Sequence, residues 1–336
     1  MKYAIFIFFL NCLLSFIFIK FYLNLAKKIK IIDNQNPHYS NKPTVTGGGI
    51  IFIIIFLISN LLLYFTDLNF TGLIPYRYYI LLFSVFILGF VCFKDDMKPI
   101  DPRLRLMIQI ILIYLCLSTI KLSELNIPIK LMFLFGVIFW IYVMNIINFL
   151  DGSDGFLTVN VIFFWIGILI IKYVLNENLF SYYFAIINIP IAIIFLFFNK
   201  PKAELFMGDT GSIYNGILIG YAALELITSK LWFLAIVLLI YPLMDCTICL
   251  IKKIFKGYMP WVGLYDYFFL IPILRNKKNH KNVLFIIIIF NILNLIIVTT
   301  SLIFKNYAIL LLSIFLTMAT LLIYKKTKLE EISFFS

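Results

Sequence analysis

Asn145-Ile-Ile-Asn-Phe-Leu-Asp-Gly-Ser-Asp-Gly155 interrupts two long apolar runs, 129–149 and 157–174. A helix needs about 20 apolar residues to cross a bilayer, so this stretch reads as a polar turn between two membrane helices. Asn145, Asn148 and Asp151 follow at spacings of three, which puts them on one helix face. Gly152 and Gly155 supply a turn that lets Asp154 point back into the same space. A carboxylate near lipid is costly unless it meets a cation or lines a wet cavity. Two Asn and two Asp at one membrane edge therefore argue for a site built of hard oxygen ligands, the kind magnesium takes. A calcium loop would need more oxygens over its length than this stretch offers.

Outward from that turn the pattern repeats. Apolar runs fall near 3–25, 47–66, 77–93, 104–121, 129–149, 157–174, 179–198, 212–228, 231–251, 282–303 and 307–324. Of 336 residues, 63% are hydrophobic and 13% charged, and the mean hydropathy is +1.04. Soluble chains carry about 25% charge. The chain reads as all-α: one polytopic integral membrane domain over 1–336 with about 11 transmembrane helices. The run 3–25 lacks a small-residue cleavage site and reads as a retained span. The run 212–228 is the weakest, because it holds Glu225 and several small residues. Twenty Lys and Arg sit in the breaks after odd-numbered runs and at the C-terminal end, against seven on the other side. By the positive-inside bias the N-terminus is outside and the C-terminus cytoplasmic. The net charge of +12 then reflects lipid headgroups and calls for no nucleic acid. Cys246 and Cys249 share a face of an apolar helix and read as packing residues.

The cytoplasmic breaks near 26–46, 94–104, 150–156, 199–211 and 252–281 carry the polar chemistry. Gly47 to Gly49 open the second run, where bare backbone N–H groups make a phosphate contact and Lys42 adds charge. The plain alternative is a glycine-rich helix start. Asp95 and Asp96 diverge by about 100° on a helix, so one is left to reach phosphate or metal while the other meets Lys or Arg. Asp101 suits a solvated helix end. Asp209 and Ser212 stand where simple capping is the competing explanation. Phe206 either stacks on a nucleobase or packs. Asp245 precedes the last basic loop and is expected to pair with Lys252 or Lys253.

Four stretches, in order, carry a resemblance: Lys42-Pro-Thr-Val-Thr-Gly-Gly-Gly49, Asp95-Asp96, Asn145 to Gly155, and Phe206-Met-Gly-Asp-Thr-Gly-Ser212. Together they resemble the polyprenyl-phosphate N-acetylhexosamine-1-phosphate transferases. That family makes the first lipid intermediate of peptidoglycan and initiates O-antigen, enterobacterial common antigen and teichoic acid. The Pro-Thr-x-x-Gly-Gly-Gly form and the surroundings of Asp245 look closer to the O-antigen initiators. The resemblance implies transfer of HexNAc-1-phosphate from a UDP-N-acetylhexosamine to undecaprenyl phosphate, with release of UMP. By position, Asp154 and Asp209 would hold Mg²⁺, or Mn²⁺ in its place. Asp95 and Asp96 would serve the acceptor phosphate, with Asp151 and Asn148 shaping the site. Lys42 and Thr44 would contact substrate, and Asn199 and Phe206 the uridine. It further implies a bacterial inner membrane location, a cytoplasmic active site and, as in bacterial relatives, a homodimer.

One departure stands out. Where the family carries a His-rich motif, this chain reads Trp261-Val-Gly-Leu-Tyr-Asp-Tyr-Phe-Phe-Leu270, and its only histidines are His38 and His280. Arg275, Lys277, Lys278 and His280 are the candidates to stand in; a catalytically altered homologue is the other outcome. A cation-coupled transporter is the main non-enzyme alternative, but its ion sites tend to lie at mid-membrane on broken helices. A CDP-alcohol phosphotransferase would need Asp-Gly-x-x-Ala-Arg, and here Asp151-Gly152 continues as Ser-Asp-Gly.

Overall fold

The computed structural model describes residues 2–33, 44–66, 75–118, 120, 129–257, 267–275 and 279–326. Helix α1 (Lys2–Ile29) passes through a short antiparallel ribbon, β1 (Ile32–Asp33) and β2 (Thr44–Val45), into α2 (Ile50–Thr66). Then follow α3 (Pro75–Met97), α4 (Pro102–Leu117), α5 (Ile129–Phe149), α6 (Phe156–Leu175), α7 (Ser181–Asn199) and α8 (Gly208–Thr228). The chain continues through α9 (Trp232–Leu238), α10 (Ile240–Phe255), a one-turn α11 (Ile271–Arg275), α12 (His280–Ile303) and α13 (Leu311–Lys326). The ribbon corrects the all-α expectation: the protein is nearly all-helical. Backbone at a membrane edge must still satisfy its N–H and C=O groups. Here β2 does so with β1 and, through a parallel bridge from Val45 to Leu205, with the segment before α8.

Among the described residues, five helices are long and apolar enough to cross a membrane, and a sixth span forms if the bent pair α9–α10 is counted as one. The run expected at 231–251 is thus broken, by 72° at Leu239. Pro242 has no N–H to offer the carbonyl four residues back, which removes the bond that would carry the helix straight through. Asn294 of α12 donates to the Val237 carbonyl, in the last turn of α9, at 3.0 Å. Phe9, Phe135, Phe285 and Phe315 are each more than 60% exposed, an apolar exterior suited to lipid.

Helix α8, the least apolar run by sequence, lies at the centre and is buried almost end to end. Its small residues allow α5 to approach: a Cβ on Gly220 would come within 2.2 Å of Trp140, whose indole N–H donates to the Ile217 carbonyl at 2.9 Å. Low hydropathy here reflects contact with protein rather than lipid. Glu225, which weakened the sequence reading, accepts from the backbone N–H of Phe180 (2.5 Å) and Ser181 (2.9 Å), capping the start of α7.

Candidate active site

The last turn of α3 carries Asp95 and Asp96, and the structure sends them to different neighbours. Asp96 crosses to the start of α8, where it accepts from the N–H of Asp209 (2.9 Å) and Thr210 (3.1 Å) and from the Thr210 hydroxyl (2.5 Å). A helix start leaves four N–H groups without intrahelical partners. Met207 at the N-cap supplies no side-chain bond, so Asp96 is the cap. Gly208 keeps a φ of +71° beneath it, and a Cβ there would lie 2.5 Å from Asp96 Oδ2. Burial pushes the Asp96 carboxyl up to about 7, the Thr210 hydroxyl opposing and the Asp209 charge adding to the rise.

Asp95 turns the other way. Its Oδ1 accepts from Ile100 N–H and its Oδ2 from Arg105 Nη1, both at 2.6 Å. Arg105, one turn into α4, also donates Nη1 to Asp209 Oδ2, so one guanidinium joins carboxylates more than a hundred residues apart. Asp209 is raised by burial and then lowered by Arg105. Asn148 at the end of α5 favours the ionised Asp209 and accepts from the Ser212 hydroxyl at 3.0 Å. Asp151 is raised well above the ordinary range by burial first, then by the charges of Asp209 and Asp96, with the Gly208 N–H opposing. Asp95, Asp96, Asp151 and Asp209 thus converge on the start of α8.

Asp154 lies to one side. Its Oδ2 accepts from the N–H of Lys202 (3.0 Å) and Ala203 (3.3 Å), and its Oδ1 is 3.8 Å from His280 Nδ1. Lys202 adopts φ +75° in that turn. The expected ligand pair, Asp154 with Asp209, is linked through Asp151, which feels the charge of both. Among the described residues no three His, Cys, Asp or Glu side chains are already grouped as a metal cage. Magnesium usually takes one or two carboxylates and fills its shell with water and phosphate oxygens. Hard oxygens that push one another's pKa up fit such an ion.

The glycine run has another role than the one the sequence proposed. Gly48 and Gly49 donate their N–H groups to the carbonyls of Phe206 (3.0 Å) and Met207 (2.9 Å). They are buried and committed, which corrects the expected phosphate contact. The physical reason is packing: a Cβ on Gly49 would lie 2.0 Å from Gly211 N, where α2 meets α8 backbone to backbone. Phe206 is half-buried, its N–H bound to Val45 O at 2.8 Å. Thr44 is buried in β2, and Lys42 lies outside the described residues.

Asn199 is 3% exposed, and its contacts are internal. Its Oδ1 accepts from Gly155 N–H (3.1 Å) and the Thr158 hydroxyl (2.8 Å), and its Nδ2 donates to Leu205 O (2.9 Å). The residue expected at the uridine is a clip joining the ends of α6 and α7 to the segment before α8.

Asp245 does not take Lys252 or Lys253 as its main partner. Fully buried, it accepts from the Tyr241 hydroxyl (2.8 Å) and the N–H of Phe268 (2.9 Å) and Phe269 (3.4 Å). It caps the turn by which the basic loop returns. The lysines lie over the rings of Phe268 and Tyr267. There Tyr267 and Phe269 stack in series between Phe149 and Phe156, with centroids 5.6, 6.1 and 4.3 Å apart. In place of a His-rich motif, the described part of this stretch is an aromatic ladder gripping both flanks of the Asp151–Gly155 turn. Of the four stand-ins, His280 reaches that turn, Arg275 bonds the Lys325 carbonyl (3.0 Å), and Lys277 and Lys278 lie outside the described residues. The sequence reading gave no particular role to Arg105 or Thr210. The available signal was a basic residue one turn into an apolar run, which is costly without an acidic partner.

Nearly all-helical, apolar on its exterior and carrying a polar site at helix ends, the protein is integral to the membrane. Residues 78–227 match the family model described as Glycosyl transferase family 4, a span that includes Asp95, Asp96, Asp151, Asp154 and Asp209. Similar proteins are named phospho-N-acetylmuramoyl-pentapeptide-transferase. That of Aliarcobacter butzleri (strain RM4018) is 29% identical over 229 residues, 56% of this chain and 61% of its own. That of Campylobacter lari is 27% identical over 252 residues, 64% and 71%. That of Prochlorococcus marinus (strain NATL2A) is 32% identical over 239 residues, 62% of each. The match thus spans about three-fifths of the length of two of these relatives. Over residues 78–227 the chain is thus similar to glycosyl transferase family 4, and over a longer stretch to these bacterial transferases.

Proposed function

We propose that this protein transfers a HexNAc-1-phosphate from a UDP-N-acetylhexosamine to undecaprenyl phosphate at the cytoplasmic face of the bacterial inner membrane. The reaction releases UMP and starts an O-antigen-like polysaccharide. The supporting observation is the meeting of four carboxylates from three separate segments at the start of α8, with Arg105 bridging two of them. In this reading the chain has eleven spans, with its N-terminus outside, and the site faces the compartment that holds nucleotide sugars.

An oxygen of the acceptor phosphate attacks the sugar-bound phosphorus; that P–O bond forms as the bond to UMP breaks. A phosphate monoester is largely dianionic at neutral pH, so direct attack needs no strong base. Asp209, with Asp151 behind it, would hold Mg²⁺ or Mn²⁺, and Asp154 stands in the same turn as Asp151. When bound, the ion neutralises the diphosphate and favours departure of UMP. Arg105 supplies positive charge to the incoming phosphate, and Asp95 fixes where that guanidinium points. Asp96 holds the helix start in place.

The test is Asp209→Asn in native membranes, assayed for cation-dependent UMP release with undecaprenyl phosphate and a panel of donors. The panel includes UDP-GlcNAc, 6-deoxy HexNAc nucleotides and UDP-MurNAc-pentapeptide, the last because of the relatives' names. Loss of turnover on the order of 10²-fold or more, with expression intact, is expected. Turnover near the parent level would refute the assignment of Asp209. Use of UDP-MurNAc-pentapeptide alone would move the chain to the relatives' reaction.

A further inference from the structure

The Asp151–Gly155 turn is gripped from several directions. Asn199 takes the Gly155 N–H, and Leu270 lies 3.1 Å from where a Cβ on Gly152 would be. A third hold comes from His280, the first residue of α12, more than a hundred residues later in the chain. Its side chain is 8% exposed, and Nδ1 lies 3.1 Å from Ser153 Oγ, 3.4 Å from Asp154 N and 3.8 Å from Asp154 Oδ1. A backbone N–H only donates, so the nitrogen facing it accepts and the ring proton sits on Nε2. The Ser153 hydroxyl is free to rotate and donate to the same lone pair. One imidazole nitrogen therefore faces two donors from consecutive residues of the acidic turn. The Asp154 carboxylate, held from its other side by Lys202 and Ala203 N–H, is fixed between α12 and the 202–203 turn.

We propose that His280 is a positioning residue: its Nδ1 acceptor fixes the Ser153–Asp154 turn and so keeps Asp151 beside the start of α8 and Asp154 against the 202–203 turn. The inference rests on the transferase reading above, but its structural half is measurable without turnover. Two variants of the full chain in detergent carry the test. His280→Asn sets an acceptor oxygen where Nδ1 stands, while His280→Phe keeps the ring and removes the acceptor. The readouts are hydrogen–deuterium exchange across 152–156, and kcat and donor KM separately.

In His280→Phe, exchange across the turn should accelerate and kcat should fall roughly 10–100-fold, the usual effect of losing a residue that orients site ligands. Donor KM should stay within a few-fold of the parent. His280→Asn should restore both the protection and most of kcat. Parent-like exchange in His280→Phe, or an Asn variant as impaired as the Phe variant, would overturn the proposal. So would a rise in KM at constant kcat, which would make His280 a donor contact. If the parent itself released no UMP, the transferase reading would fail, while the exchange result would still decide on His280.

Discussion

Gly49→Ala is the substitution whose effect follows most directly from geometry. The added Cβ would lie 2.0 Å from Gly211 N and 2.1 Å from Gly211 Cα, and both are backbone atoms that no rotamer change can move. Ordinary contact begins at 3.4 Å, so α2 and α8 must separate by the difference, about 1.4 Å. Overpacking of this kind costs about 1–3 kcal/mol. The shift acts on the first turn of α8, two residues from Asp209, whose bonds to Asp96 and Arg105 leave little slack. A misplacement of about 1 Å at a reacting centre lowers rates on the order of 10²-fold. Thermal unfolding of purified protein and UMP release in membranes measure the two effects. Gly136→Ala is the control: its Cβ would meet only the end of Leu117, at 3.0 Å, and Ala in mid-helix gains roughly 0.5–1 kcal/mol over Gly. A Gly49→Ala protein with the parent's melting temperature and turnover would refute the close approach of α2 and α8. If Gly49 instead served phosphate through its N–H, Ala would retain that donor and leave turnover intact.

Two other outcomes follow from the site. Because the Asp96 carboxyl is raised to about 7, the native state keeps a proton that the unfolded chain has released above about pH 4. That contribution is complete below the unfolded value and is lost as pH rises to the folded one, so melting temperature should drop between about pH 4 and 7. Asp96→Asn should flatten the slope without abolishing it, since Asp151 and Asp209 are raised too; an unchanged slope would contradict the assignment. Asn199→Ala strands the Gly155 N–H and the Leu205 carbonyl and should cost about 2 kcal/mol or more. A rise in donor KM with unaltered stability would instead restore Asn199 to the uridine.

Much of this architecture was legible because hydropathy sets helices one at a time. The turn at Asn145–Gly155 and the acidic helix ends are local features, and local features appear in sequence. The misreadings share a cause. Gly48 and Gly49 read as open donors because their acceptors, Phe206 and Met207, lie more than 150 residues away. Asn199 read as a ligand contact and Asp245 as a lysine partner in part because each also takes backbone N–H groups 23 to 44 residues away. The bend at Leu239 was hidden because apolar residues continue across it, with Pro242 as a local sign.

Those partners reveal a rule that sequence pattern alone does not display. Asp96, Glu225 and Asp245 each cap a helix start or helical turn other than their own. A helix start enclosed by protein and lipid cannot turn to water for its N–H groups, and a carboxylate satisfies several at once at the positive end of the dipole. At α7 the cap is Glu225, and at the Phe268 turn it is Asp245. At α8, Asp96 fills the capping role while Asp209, Asp151 and Asp95 gather around it with Arg105 between two of them. The acids beyond the cap are therefore surplus to capping, and burial, with neighbouring carboxylates adding, raises both Asp151 and Asp209. The helix start is also fixed by the α2 backbone, by Asp96 and, through Ser212, by Asn148. In the transferase reading proposed above, a cation bound at this helix start would meet a rigid acidic floor.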